Sequence, residues 1–344
     1  MSIVPPPRPS PARPVLPSPR GPLSEFVLAH LVAPPGPLPA APAAADDPLA
    51  GDDTQLALYL CYELHYRGFA GVDERWEWEP SLLAFRRERE QAFERRLADE
   101  IGAFTADGDV ATALIDLLDA HDGPSLSHTM LSTGTLAHMR EFAMHRSAYQ
   151  LKEADPHSWA LPRLSGPPKA ALVEIQADEY GQGVCKDMHA ELFALTMREL
   201  GLDDTYGAYL DLLPGPTLAT VNLVSLFGLH RRRRGALVGH LAVFEMTSVE
   251  PMGRYSATLR RLGLSAWARL FYDTHVVADA HHQTVAARDL AGGLVRAEPE
   301  LARDVLFGAR AIMHVEGAFT RMILAAWAAG GTALRMPARR ESVA

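Results

Sequence analysis

The placement of proline constrains the fold more than any other feature. Fifteen of the 26 prolines fall within the first fifty residues. Stretches there such as PPPRPSPARPVLPSPRGP cannot sustain a helix interior or a central strand. Residues 1–48 therefore read as a disordered Pro-rich tail, with one short contact around LSEFVLAHLV. The remaining prolines are thinly spread, which leaves long windows open to helix. DDTQLALYLCYELHYRGF begins with an N-cap signal and continues with apolar residues at helical spacing, and SLLAFRREREQAFERRLADEIGAF reads as an amphipathic surface helix. Further helices are expected near 108–121, 125–154, 168–180, 188–201, 216–230, 234–249, 255–262, 266–292 and 299–329, with turns at SGPPK, GLDD, LPGPT and EPMG between them. Strand alternation is hard to find and no fixed repeat is present. The pattern predicts an all-α bundle over 125–335, preceded by a helical N-terminal extension over 49–124.

The chain has 344 residues and is 48% apolar, enough for a sizeable core. A formal charge of −9 and a pI near 5.9 argue against nucleic-acid binding, which needs a basic field. RRRR at 231–234 is the one concentrated basic run and reads as a solvated helix end. Cys61 and Cys185 offer no disulfide framework. The N-terminus lacks a secretory apolar segment, and no apolar run reaches the length of a membrane span. A soluble, cytoplasmic protein without membrane association is the expectation. Thirty arginines against three lysines, with abundant alanine, suggest a GC-rich bacterial gene.

The segment FYDTHVVADAHHQTVAARDL places His275, Asp279 and His282 on one helix face, at i, i+4 and i+7. Two imidazoles and a carboxylate on successive turns form a metal-ligand geometry. Their bland alternative is a polar seam within a bundle. His281 falls about 100° away around the helix. Other carboxylates must come from elsewhere, and ALVEIQADEYGQGVCKDMHAELFALTM offers Glu174, Asp178, Glu179 and His189. In an unbroken helix Glu179 and His189 would be about 15 Å apart along the axis. The intervening Gly181-Gln182-Gly183 can end one helix and redirect the chain, which would bring Glu179 and His189 toward a common point with Asp187 near the second helix start. Glu153 sits at the end of a helix expected to stop at Asp155-Pro156, with His157 close by.

LKEADPH, VEIQADEYGQG with MHAELF, and THVVADAHHQTVAARD together resemble the haem-oxygenase-like diiron oxidases and oxygenases, often described as iron-containing redox enzymes. The resemblance spans roughly residues 125–330. It implies a haem-oxygenase-like helical bundle and six metal ligands: Glu153, Glu179, His189, His275, Asp279 and His282. It also implies two non-haem irons, O2 as co-substrate, and oxidation of a small organic molecule in specialised metabolism, such as an amino acid or a fatty acid. An external electron donor and a homodimer belong to the same set of expectations. Three carboxylates and three neutral imidazoles suit Fe(II) or Mn(II), and the three negative charges offset most of the charge of two divalent ions. Glu174 and Asp178 stay open as alternatives to Glu179 or as partners that orient the ligands.

Several other residues have plainer readings. His138, Glu141 and His145 share a helix face, but no second segment completes a site, so they read as a partly buried polar stripe. Glu245, alone in the apolar GHLAVFEMTS, reads as an acid supporting the ligands or touching substrate. His240 and His314 read as structural or exposed, Tyr180, Met188 and Met246 as packing residues, and Trp76 and Trp78 as packing of the leading helices. A metal-free enzyme using Cys185 as nucleophile, or a ligand-binding protein on the same bundle, are the competing functional classes.

Overall fold

A computed structural model describes residues 13–336, and among them every regular element is helical. Helix α1 spans Pro22–Leu31, α2 Asp52–Glu63, α3 Pro80–Ile101 and α4 Val110–Asp119. The bundle continues with α5 (Leu126–Thr133), α6 (Leu136–Gln150), the single turn α7 (Asp155–Ser158), α8 (Gly166–Glu179) and α9 (His189–Glu199). It closes with α10 (Gly215–Leu229), α11 (Arg234–Thr247), α12 (Val249–Arg261), α13 (Ala266–Thr284), α14 (Gly292–Ala297) and α15 (Ala302–Ala328).

Most of the expected helices form near their expected bounds, and each departure has a local cause. The stretch 125–154 is two helices because Gly134 caps α5 and Thr135 opens α6, its hydroxyl accepting from the His138 N–H. Asp155-Pro156 does not stop a helix; proline at the first turn starts α7, and Glu153 lies in the turn before it, followed by Ala154 at φ 75°. Within 266–292 the helix widens into a π-helical stretch at Val285–Ala291, directly after His282.

Within the Pro-rich segment the short contact expected around LSEFVLAHLV is helix α1, and residues 1–12 lie outside the described residues. Pro22 occupies the first turn of α1, where its missing N–H costs nothing. Leu23, Val27 and Leu31 are then buried on one face against α2. Asp53 of α2 fastens the start of α1, accepting from the backbone N–H of Leu23 (2.8 Å) and Ser24 (2.7 Å) and from the Ser24 hydroxyl (2.6 Å). The extension packs on the bundle: Leu58, Phe93, Leu97 and Leu114 join the same apolar cluster as Leu223, Leu241 and Ile312.

The bundle's closest helix pair is α11 on α15. A Cβ at Gly239 would lie 1.9 Å from the Val305 carbonyl oxygen, and one at Gly308 would lie 1.9 Å from that of Ala236. Only glycine permits this approach. The RRRR run is paired rather than simply solvated: Arg232 and Arg233 both reach Glu94, Arg233 also reaches Asp304 at 2.8 Å, and Arg234 bonds Glu298. Among the described residues no helix is long and apolar enough to cross a membrane.

Candidate metal centre

Seven side chains from five places in the chain converge in the bundle interior. Glu153 comes from the turn after α6, Glu179 is the last residue of α8, His189 the first of α9, Glu245 lies on α11, and His275, Asp279 and His282 lie on α13. Ligand-type atoms of Glu153, Glu179, His189 and His275 lie within 4.8 Å of one another. A second group, Glu179, Glu245, Asp279 and His282, meets the same limit. Glu179 belongs to both. The split follows from helix rise: His275 and Asp279 are about 6 Å apart along α13, so one helix serves two adjacent centres.

The glycine break works as the spacing predicts. Gly181 takes φ 60°, and a Cβ there would sit 2.5 Å from the Asp187 carbonyl carbon, so the chain folds back on itself at this residue. Gln182 and Gly183 are also left-handed. His189 Nδ1 thereby comes to 2.9 Å from Glu179 Oε2. Asp187 is exposed and paired with Lys186, away from the cluster.

Two of the histidines are oriented by a partner on the ring nitrogen facing away from the centre. His275 Nδ1–H donates to the Phe271 carbonyl at 2.9 Å, which turns Nε2 toward Glu153 Oε1 at 3.7 Å. His282 Nε2 lies 2.8 Å from Asp178 Oδ2, leaving Nδ1 facing Glu245 at 3.3 Å and Asp279 at 3.5 Å. Such contacts fix the tautomer that presents a lone pair inward. Asp178 is therefore an orienting partner. Glu174 pairs with His281 at the surface, 2.8 Å away, and is not in the cluster. Asp279 is held by the Ser248 hydroxyl.

The electrostatics are those of an acidic cluster under burial. Burial raises Glu245 to about 8, with Asp279 and Glu179 adding to the effect. Burial likewise raises Glu153. For Glu179 burial works upward, but His189, His275 and His282 outweigh it and hold the carboxyl below its ordinary range. Burial would lower His275, yet Glu153 and Glu179 raise it to about 10. His282 is likewise raised, to about 11, where Asp279 and Glu245 overcome burial.

The donor set fits a metal. Glu153 Oε2 is buried with no hydrogen-bond partner, and His189 Nδ1, Asp279 Oδ1 and His282 Nδ1 are buried and meet only other members of the cluster, at 2.9–3.5 Å and without hydrogen-bond geometry. Each such atom costs about 1–3 kcal/mol unless something else satisfies it. Carboxylate and imidazole donors together match first-row divalent ions such as Fe(II).

A cavity of about 390 Å³ opens onto the cluster, with Glu153, Glu179, Glu245, His275 and Asp279 in its wall. Phe142, Arg146 and Tyr149 of α6 line the cavity together with Glu153 of the following turn. Arg146 is neutralised by a two-pronged pair with Glu316, both contacts 2.7 Å. His157 lines the cavity and contacts His240 through Nε2 and Nδ1 at 3.0 Å; both rings are buried and stay outside the cluster. Burial lowers His157 to about 4 and His240 further.

The six residues expected as ligands all reach the cluster. Glu245 is the member the sequence placed only beside it. Its signal was a single acid inside an otherwise apolar helix, where burial needs a counter-charge. The His138, Glu141 and His145 stripe is structural: His138 stacks on Trp327 at 4.3 Å, Glu141 accepts from the Ala333 N–H at 2.7 Å, and His145 bonds Thr217 at 2.8 Å. Tyr180 donates to Asp155 at 2.9 Å. Trp76 is buried, while Trp78 is exposed and meets the His65 ring edge-on at 5.2 Å. Cys185 is exposed and does not line the cavity.

Comparison with known proteins gives two findings. Residues 140–317 match the family model described as iron-containing redox enzyme. A nitrosourea synthase from Streptomyces achromogenes subsp. streptozoticus is 26% identical over 160 residues, which is 45% of this chain and 34% of that protein. The chain thus corresponds to about a third of the relative's length.

Proposed function

The chain belongs to the family of iron-containing redox enzymes, and we propose that it is a non-haem diiron oxygenase or oxidase that uses O2 to oxidise a small organic substrate in specialised metabolism. The observation that supports this most is the pair of four-residue donor groups sharing Glu179. In this reading Glu153, Glu179, His189 and His275 hold one iron, and Glu179, Glu245, Asp279 and His282 hold the other. The similarity to a nitrosourea synthase agrees with a role in specialised metabolism.

Charge balance supports two ions rather than one. Glu153, Glu179, Glu245 and Asp279 carry four negative charges when ionised, and three neutral imidazoles complete the set. Two divalent cations bring the buried cluster to neutrality, whereas a single one leaves excess negative charge in a medium that penalises it. What bound iron supplies is electrons for O2 activation. The protein's own residues do the rest. Asp178 and the Phe271 carbonyl keep the His282 and His275 lone pairs turned inward. Glu179, ending α8, offers a carboxylate to both halves of the site. Phe142, Leu241, Phe244 and Ile312 make the cavity wall apolar, which excludes water and orients a substrate against the cluster.

The test is O2 uptake. Protein loaded anaerobically with Fe(II) should consume O2 rapidly on mixing, and Glu179→Ala should abolish that uptake. Equal O2 uptake by the variant would overturn the proposal, as would substrate turnover by metal-free protein.

A further inference from the structure

Glu153 reaches the cluster on a strained backbone. The residue after it, Ala154, is buried at φ 75° and ψ −31°, a combination that an L residue adopts only where its surroundings impose it. Two contacts from within the bundle hold the far side of this turn. The Gln176 side-chain amide donates to the Ala154 carbonyl at 3.4 Å, and Tyr180 donates to Asp155 at 2.9 Å.

The near side is held by the extension. Arg67, just beyond α2, donates to the Leu151 carbonyl at 2.8 Å, and Lys152 Nζ donates to Glu63 Oε2 at 2.9 Å. The rings of Tyr66, Tyr59 and Tyr206 surround that ammonium at 4.1, 5.3 and 5.8 Å, which leaves it one direction in which to bond. The carboxylate it meets is fixed in turn: Tyr206 donates to Glu63 Oε2 at 2.6 Å, and the Tyr59 hydroxyl lies 3.2 Å from that of Tyr206. Glu63 and Arg67 precede the family match, which begins at residue 140. The donor group of Glu179, Glu245, Asp279 and His282 takes no residue from this turn.

We propose that Lys152 and Arg67 are positioning residues that act through Glu153: tied to the extension, they hold the strained turn so that the Glu153 carboxylate is in place before a metal arrives. The inference rests on the diiron reading and adds to it a difference between the two donor groups. Freed of its ties, the turn relaxes toward ordinary backbone and carries the Glu153 carboxylate away from Glu179, His189 and His275. That group then keeps three donors and binds its ion more weakly, because the fourth must first be ordered again. The other group keeps all four. The extension is thus part of one metal site although it supplies no ligand.

The double variant Glu63→Leu/Lys152→Met separates positioning from stability. It removes the directional tie yet strands no charge, so it should melt near the parent. Arg67→Met removes the other tie from a half-buried position. Two readouts apply, hydrogen exchange of the metal-free proteins and anaerobic titration with Fe(II). In the metal-free variants the amides of residues 151–155 should exchange about tenfold or more faster than in the parent, while those of α11 and α15 keep the parent's rates. On titration the variants should bind one ion as the parent does and the other about tenfold or more weakly. Parental exchange at 151–155, or parental affinity for both ions in the double variant, overturns the proposal. Equal weakening of both ions overturns it too, since that marks a general loss of structure. A parent that takes up fewer than two ions, with the turn loosened in its variants, defeats the diiron reading alone. A parent that takes up two, with variants that match it in both readouts, defeats this inference alone.

Discussion

Lys152 and Glu63 form an ion pair at 2.9 Å with side chains 1% and 0% exposed, and its removal has a size that can be worked out. Glu63 ends α2 in the extension, and Lys152 precedes Glu153 in the turn that delivers it to the cluster. Tyr206 also donates to Glu63 at 2.6 Å, the Tyr66 ring lies 4.1 Å from Lys152 Nζ, and Arg67 donates to the Leu151 carbonyl at 2.8 Å. The extension therefore holds the turn that carries Glu153. Lys152→Met leaves Glu63 charged, buried and deprived of its cation, which costs about 3–5 kcal/mol. At about 2.1 cal/mol/K per residue, this chain has an unfolding entropy of about 0.7 kcal/mol/K. The melting temperature should then fall by about 4–7 °C. Adding Glu63→Leu removes the stranded charge and should recover most of the loss, because a well-packed apolar pair often matches a buried ionic one. Differential scanning calorimetry of the parent and the two variants reads both effects. A single variant that melts with the parent would refute the reasoning, as would a double variant less stable than Lys152→Met.

Other consequences follow from the same geometry. Glu245→Ala should keep the fold and one donor group, so iron content should fall from two per chain toward one, as measured by elemental analysis of desalted protein. Gly308→Ala places a methyl against the Ala236 carbonyl and should destabilise the protein by about 1–3 kcal/mol in chemical denaturation, through forced separation of α11 and α15. Acid should act through His157 and His240. Their depressed folded values mean the unfolded chain binds more protons, so their contribution is full above about pH 6.5 and is lost as pH falls toward 4 and below. For His157 alone the loss is about 3 kcal/mol, and His157→Gln should flatten the decline in melting temperature between those values.

The sequence carried the site further than it carried the fold's edges. His275, Asp279 and His282 were legible because helical periodicity is local, and the Gly181 break was legible because glycine pairs mark redirection. Glu245 was not, since its partners lie on other helices and a lone acid carries no spacing of its own. Glu153 occupies a turn rather than a helix end, because Pro156 begins a new helical turn instead of stopping α6. The seating of α1 is only partly legible, because proline density masks the four-residue spacing of Leu23, Val27 and Leu31 and because the Asp53 anchor lies outside that segment.

Anaerobic titration with Fe(II) tests the central claim most directly. The account predicts uptake that saturates at two ions per chain, with release of protons from His275 and His282, whose carboxylate neighbours raise their affinity for a proton. Saturation at one ion, or uptake unchanged by replacement of Glu179, would contradict it.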